Sequence, residues 1–229
     1  MTWVKICATT NLSDAQASLA AGANALGFIF APSTRQIETS KAAEIVAALP
    51  AAIEKIGVFV NETPDRVAEI ALEGGLTGAQ LHGDEPPSEL AEYRRTLGRR
   101  RKLIKTLQAR ELLAEGGDHR LNAYLEEHGS LDAILLDAGR PGQRGGTGTR
   151  FDWEAAVPRV QKIKTVLPVV IAGGLTAENV RQAIRIFEPW GVDVVSGVER
   201  EPGKKDEVKL RSFLAAVHRS NAARREEKT

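Results

Sequence analysis

A single cysteine, Cys7, ends the apolar run Trp3-Val4-Lys5-Ile6, and a carboxylate, Asp137, ends a second run, Ala133-Ile134-Leu135-Leu136. A thiol and a carboxyl group at the ends of two different strands are the types needed to pass protons to and from one bound molecule. Each also has a plainer reading: a lone cysteine packs as a small hydrophobe, and an aspartate after a strand caps a turn. Strand alternation puts Trp3, Lys5 and Cys7 on one face and Val4, Ile6 and Ala8 on the other. The Lys5 ammonium then lies one layer below the thiol, where a cation favours the thiolate.

Glycine clusters point to an anion. Ala172-Gly173-Gly174-Leu175 and Ser196-Gly197-Val198-Glu199 each follow an apolar run, and glycine lets backbone N–H groups approach a phosphate closely. Either cluster alone is an ordinary turn; two in consecutive loops favour a phosphate site. Arg35, in Ala31-Pro32-Ser33-Thr34-Arg35, offers a planar fork for a carboxylate, or is a solvated loop arginine. His82, in Gln80-Leu81-His82-Gly83-Asp84, is a substrate-binding candidate, as a base or a hydrogen-bond donor, or else a structural histidine. A third cluster, Gly145-Gly146-Thr147-Gly148, suits a lid. No Walker lysine pattern, GxGxxG fingerprint or paired metal-ligand spacing is present.

The elements that must position these groups alternate regularly. Strand candidates are Trp3 to Ala8, Ala25 to Phe30, Ile53 to Val60, Gly78 to His82, Lys102 to Leu107, Ala133 to Asp137, Pro168 to Ala172 and Val192 to Ser196. Helical patterns lie between them, with start signals at Pro64-Asp65 and at Thr176-Ala177-Glu178-Asn179. Eight βα units predict an α/β fold, a single-domain (β/α)8 TIM barrel over residues 1–219; a doubly wound sheet would have to discard two strands. Residues 109–120, with Gly116-Gly117, read as the least ordered connection, and 220–229 as a charged, disordered tail.

Of 229 residues, 31 are basic and 30 acidic, so no global field favours nucleic acid or an anionic membrane. No apolar run approaches the roughly 20 residues of a membrane span. The absence of a leader pattern and of a disulfide framework leads to the expectation of a cytoplasmic protein.

In their order, Lys5-Ile6-Cys7, Gly22 to Phe30, Gly57 to Asn61, Gln80 to Asp84, Leu136-Asp137, Gly145 to Gly148 with Phe151-Asp152-Trp153, Ala172 to Leu175, Ser196 to Glu199 and Pro202 to Asp206 closely resemble phosphoribosylanthranilate isomerase. The matches run from the first strand to the last helix. The resemblance implies an Amadori rearrangement of a small phosphoribosyl substrate with no cofactor; the sequence is compatible with a monomer or a homodimer. It further implies Asp137 as general acid, Cys7 as general base, Arg35 on the substrate carboxylate and Gly173, Gly174, Ser196 and Gly197 at the phosphate. The family usually reads Lys-Ile-Cys-Gly and places a bulky residue after the loop arginine; here Ala8 and Gln36 stand there. The histidine-pathway isomerase shares the phosphate loops but ends its first strand in aspartate, so Cys7 argues against it. A non-catalytic phosphosugar-binding barrel would have no reason to keep the acid and base together.

Overall fold

The computed structural model describes residues 1–139 and 151–226; the Gly145 to Gly148 cluster, and the lid read there, lie outside the described residues. Eight parallel strands close a barrel in sequence order: β1 (Trp3–Ile6), β2 (Ala25–Ile29), β3 (Glu54–Phe59), β4 (Gly78–Leu81), β5 (Lys102–Gln108), β6 (Ala133–Asp137), β7 (Val169–Ile171) and β8 (Gly191–Val194). The eighth strand closes on the first, with Lys5 opposite Asp193 and Ile6 opposite Val194. Every strand expected from the sequence is present with its ends moved by two residues at most: β6 keeps both ends, β5 gains Gln108 and β8 gains Gly191, and the other changes are losses.

The alternation expected along β1 is also present. Val4 and Ile6 belong to the large apolar cluster beneath the helices, whereas Trp3 joins a smaller interior cluster with Ala25, Ile56, Ile104, Ala133, Leu135, Val170 and Ala172. Lys5 therefore points into the barrel above that apolar plug, and it is fully buried. Its Nζ lies 2.8 Å from Asp193 Oδ1. Lys5 has no access to water and Asp193 meets only the edge of the cavity above it, so each depends on the other. Gly27 on β2 makes the space: a Cβ there would sit 2.5 Å from Cys7 Sγ and 3.0 Å from Lys5 Cε.

Helices α1 (Leu12–Ala20), α2 (Thr39–Ala47), α3 (Pro64–Glu73) and α4 (Leu90–Leu97) follow the first four strands. The start signals act as read at α3, where Thr63 caps the first turn by accepting from Arg66 N and Pro64 opens the helix. After β5 the structure departs from the sequence reading. Residues 109–120 are not a loose connection but α5 (Ala109–Leu113) and the start of α6 (Gly117–Glu126). Leu112, Leu121 and Tyr124 are buried there, and apolar burial outweighs the low helix propensity of the paired glycines. Gly116, at φ +78°, supplies the left-handed turn between the two helices.

Helix α7 (Trp153–Lys164) precedes β7, and α8 begins at Val180 rather than Thr176 (Val180–Phe187). Asn179 uses its side chain on the loop instead: its Oδ1 accepts from Thr176 N, and its Nδ2 donates to Gly174 O. Beyond β8 a short hairpin, β9 (Glu199–Glu201) with β10 (Lys204–Lys205), leads into α9 (Glu207–Glu226). This last helix continues past the point where the sequence suggested a disordered tail. Ser220 is buried, and Asn221 Oδ1 accepts from Thr2 N and Thr2 Oγ1, so the helix is tied to the start of the chain. Among the described residues no helix is long and apolar enough to cross a membrane.

Removing one member of the interior ion pair should be costly. Lys5→Met leaves Asp193 buried without its counter-charge and is expected to cost about 3–5 kcal/mol, read as a lower urea midpoint at unchanged slope. Adding Asp193→Asn should recover part of that loss; an unshifted midpoint in the single variant would contradict this account.

Candidate active site

The C-terminal ends of the strands surround a cavity of about 590 Å³, a usual size for a small-molecule site. Cys7, Arg35, His82, Asp137, Gly173, Gly174 and Ser196 all line it. Residues from six strand ends and loops spread along the sequence therefore line one cavity. Gly197 is the exception. A Cβ there would stand 2.0 Å from Leu175 O, so this glycine lets the loops after β7 and β8 touch rather than forming the wall.

Cys7 is held by its backbone as much as by packing. Its N–H donates to Val194 O at 2.9 Å, and its carbonyl accepts from Lys205 Nζ. The next residue, Ala8, has φ +64° and is fully buried. Where the family reads glycine, this chain places a side chain in the left-handed region, which costs roughly 1–2 kcal/mol for an L-residue. The thiol itself does not behave as the neighbouring lysine suggested. Burial is the largest influence and raises its pKa; Lys5 pulls it down, Asp193 pushes it back up, and Lys205 pulls down again. The net effect is upward, so Cys7 rests as a neutral thiol. Lys5 acts in the expected direction, but desolvation wins, and Asp193 opposes part of its field.

Asp137 is biased the other way. Burial raises its pKa, but the His82 ring and the backbone N–H groups of Ala138 and Gly139 together outweigh burial and hold the carboxyl below its usual range. His82 Nε2 lies 3.4 Å from Asp137 Oδ2, long for a hydrogen bond but short enough for strong electrostatic contact. The other ring nitrogen, Nδ1, lies 2.9 Å from Gln80 Nε2, which also donates to Thr106 Oγ1 at 3.0 Å. With Gln80 assigned as donor, Nδ1 accepts and Nε2 carries the proton that faces Asp137. Gly173, at φ +83°, packs against this carboxylate: a Cβ would be 2.8 Å from Asp137 Oδ1 and 2.4 Å from Ala138 N. Its lack of a side chain thus seats the aspartate as well as opening the loop.

Arg35 is not a solvated loop residue. Glu199 grips it on one edge, with Nε at 3.1 and 3.0 Å from the two carboxylate oxygens and Nη2 at 2.7 Å from Oε2. Gln36, where the family carries a bulky side chain, donates to Phe30 O at 2.9 Å and fastens the same loop to the end of β2.

The chain matches the family model described as N-(5'phosphoribosyl)anthranilate (PRA) isomerase over residues 4–216. The chain belongs to this family. It is 42% identical over 221 residues to the N-(5'-phosphoribosyl)anthranilate isomerase of Rubrobacter xylanophilus, covering 95% of this chain and 99% of that one. The crystal structure of phosphoribosyl anthranilate isomerase from Thermotoga maritima superposes with a TM-score of 0.80 at 37% identity, covering 95% of this chain and 99% of that one. A phosphoribosyl anthranilate isomerase solved in complex with reduced 1-(o-carboxyphenylamino)-1-deoxyribulose 5-phosphate superposes with a TM-score of 0.77 at 36% identity, over the same shares. This is an isomerase of tryptophan biosynthesis on a single TIM barrel.

Members of the site that the sequence did not single out are Asp193, Gln80, Thr106 and Glu199. Asp193 carried a readable signal, a charge inside Val192-Asp193-Val194 on the face that β1 supplies with Lys5. Glu199 carried none, since nothing local tells a loop glutamate that it will meet an arginine 164 positions away.

Two measurements check this geometry. Cys7 is the sole cysteine, so alkylation reports it alone. Because burial penalises the thiolate, the alkylation rate should titrate with a midpoint above the 9.0 of an ordinary cysteine, and a midpoint below 9.0 would refute the assignment. Ala8→Gly relieves roughly 1–2 kcal/mol of left-handed strain, against which the greater entropy of unfolded glycine and the loss of one buried methyl together set about the same amount, so the thermal midpoint should stay nearly unchanged; a loss of about 2 kcal/mol or more would exclude strain at Ala8.

Proposed function

We propose that this cavity carries out the Amadori rearrangement of N-(5-phosphoribosyl)anthranilate to 1-(o-carboxyphenylamino)-1-deoxyribulose 5-phosphate, with Asp137 as general acid and Cys7 as general base. The observation that carries the reading is the convergence of one thiol and one carboxyl, each at a different strand end, on the same cavity as the arginine and the glycine loops. Protonated Asp137 gives its proton to the furanose ring oxygen as the C1′–O bond breaks, while the lone pair of the aryl-amine nitrogen forms the C1′=N bond of an iminium ion conjugated with the aromatic ring. Ionised Cys7 then removes the C2′ proton, and the resulting enolamine tautomerises to the ketone.

The resting site holds the proton on the wrong partner, since Cys7 is biased toward the thiol and Asp137 toward the carboxylate. Moving one proton from the thiol to the carboxylate arms both groups at once. Substrate binding favours the second half of that move, because its phosphate and carboxylate bring negative charge near Asp137 and raise the carboxyl's pKa. Arg35 receives the anthranilate carboxylate with the edge that Glu199 leaves open, and the loops with Gly173, Gly174 and Ser196 receive the phosphate; Gly197 supports them from behind. On this reading the partner is a small phosphoribosyl molecule rather than nucleic acid or membrane, and the enzyme works in the cytoplasm.

Purified enzyme should consume phosphoribosylanthranilate in a fluorescence assay. Cys7→Ala and Asp137→Asn should each lower kcat by on the order of 10²–10⁴. Near-wild-type turnover in both variants would defeat the assignment of acid and base, while the activity itself would stand.

A further inference from the structure

Glu199 and Lys205 are charged residues beside the site to which the reaction as written gives no task. Both are buried. Glu199 takes Arg35 on one side and Lys205 Nζ on the other, at 3.2 Å from Oε1, and it also accepts from Gly203 N at 3.1 Å. Lys205 Nζ reaches on to the Cys7 carbonyl. The hairpin that carries the pair is anchored separately, through Lys205 N to Asp14 Oδ2 at 2.9 Å and Lys209 Nζ to Glu199 O at 2.7 Å. One continuous chain of charge-assisted bonds therefore runs from the Arg35 guanidinium to the backbone of the cysteine.

We propose that Glu199 and Lys205 are positioning residues that hold the Arg35 fork, and with it the aryl carboxylate of the substrate, in register with Cys7. This rests on the roles given above to Arg35 and Cys7. The fork is occupied along its Nε–Nη2 edge, which leaves Nη1 and the second Nη2 proton for the cavity that Arg35 lines. Arg35, Lys205 and Glu199 sum to one positive charge, so the cluster still attracts one carboxylate. Glu199 is not a decoy that the substrate displaces: leaving Arg35 would not free it from Lys205 and Gly203 N, and moving away from both would strand a buried ammonium. Glu199 fixes the direction of the arginine, and Lys205 links that direction to the strand end bearing the base.

The sign of one effect separates these roles. Glu199→Gln keeps the shape but removes the negative charge. On charge alone a ligand carboxylate should then bind more tightly; on positioning it should bind more weakly. We expect the inhibition constant of reduced 1-(o-carboxyphenylamino)-1-deoxyribulose 5-phosphate to rise about tenfold, while that of ribose 5-phosphate, which lacks the aryl carboxylate, stays the same. Tighter binding of the carboxylate ligand, or equal weakening of both ligands, would overturn the proposal. Arg35→Gln is the control: if it does not weaken the carboxylate ligand, the role of Arg35 itself falls, whereas a loss there without one in Glu199→Gln sinks the positioning role alone. Lys205→Met should lower kcat as well as raise KM, with partial recovery in Lys205→Arg; a change confined to KM would break the link to Cys7.

Discussion

Closure of the barrel between β1 and β8 is the constraint on which the site depends. The register that sets Lys5 opposite Asp193 places an ammonium and a carboxylate inside the barrel, 2.8 Å apart and sealed below by an apolar plug. A slip of β1 by one residue would turn Lys5 and Cys7 out against the helices, bring Val4 and Ile6 inside, and leave Asp193 buried without its counter-charge. The pair therefore enforces the register that also aims Cys7 into the cavity, and Gly27 on the neighbouring strand leaves room for both side chains. Stability and chemistry share the same few atoms here.

Cys7 and Asp137 sit in comparable burial yet are biased in opposite directions, and the difference lies in their donors. Asp137 is met by backbone N–H groups at a strand end and by a histidine ring, all of which favour negative charge. Cys7 has a lysine below it, but that lysine is already committed to Asp193, and the aspartate's own field works against the thiolate. A charge placed near a thiol is not by itself an activated thiol; what matters is how much of that charge is already neutralised.

The eight strands were legible because each is a short apolar run bounded by polar residues, and because their period of two shows which residues turn inward. The helices between residues 109 and 126 were not, because Gly116-Gly117 breaks the pattern that Leu112, Leu121 and Tyr124 would otherwise display. The extent of the last helix was hidden for a related reason. Residues 220–226 are too polar to call for burial, and the contact that extends the helix joins Asn221 to Thr2 at the far end of the chain. In the cavity, the placement of Cys7 and Asp137 was readable from strand-end position, whereas the glycine loops were readable as a pair and not residue by residue: Gly197 carries the contact between the two loops and does not line the cavity.

The sequence by itself determined which groups are available and in what order they meet the barrel rim: a unique thiol, a strand-end carboxylate, a loop arginine and two glycine turns, spaced by regular βα units. Local patterns carry that information because periodicity and turn chemistry act over a few residues. Tertiary structure alone decided the protonation bias of Cys7 and Asp137, the grip of Glu199 on Arg35, and the left-handed backbone at Ala8. Each of these depends on desolvation or on partners brought together by closure of the barrel, and short-range sequence pattern does not encode which distant charge arrives where water has been excluded.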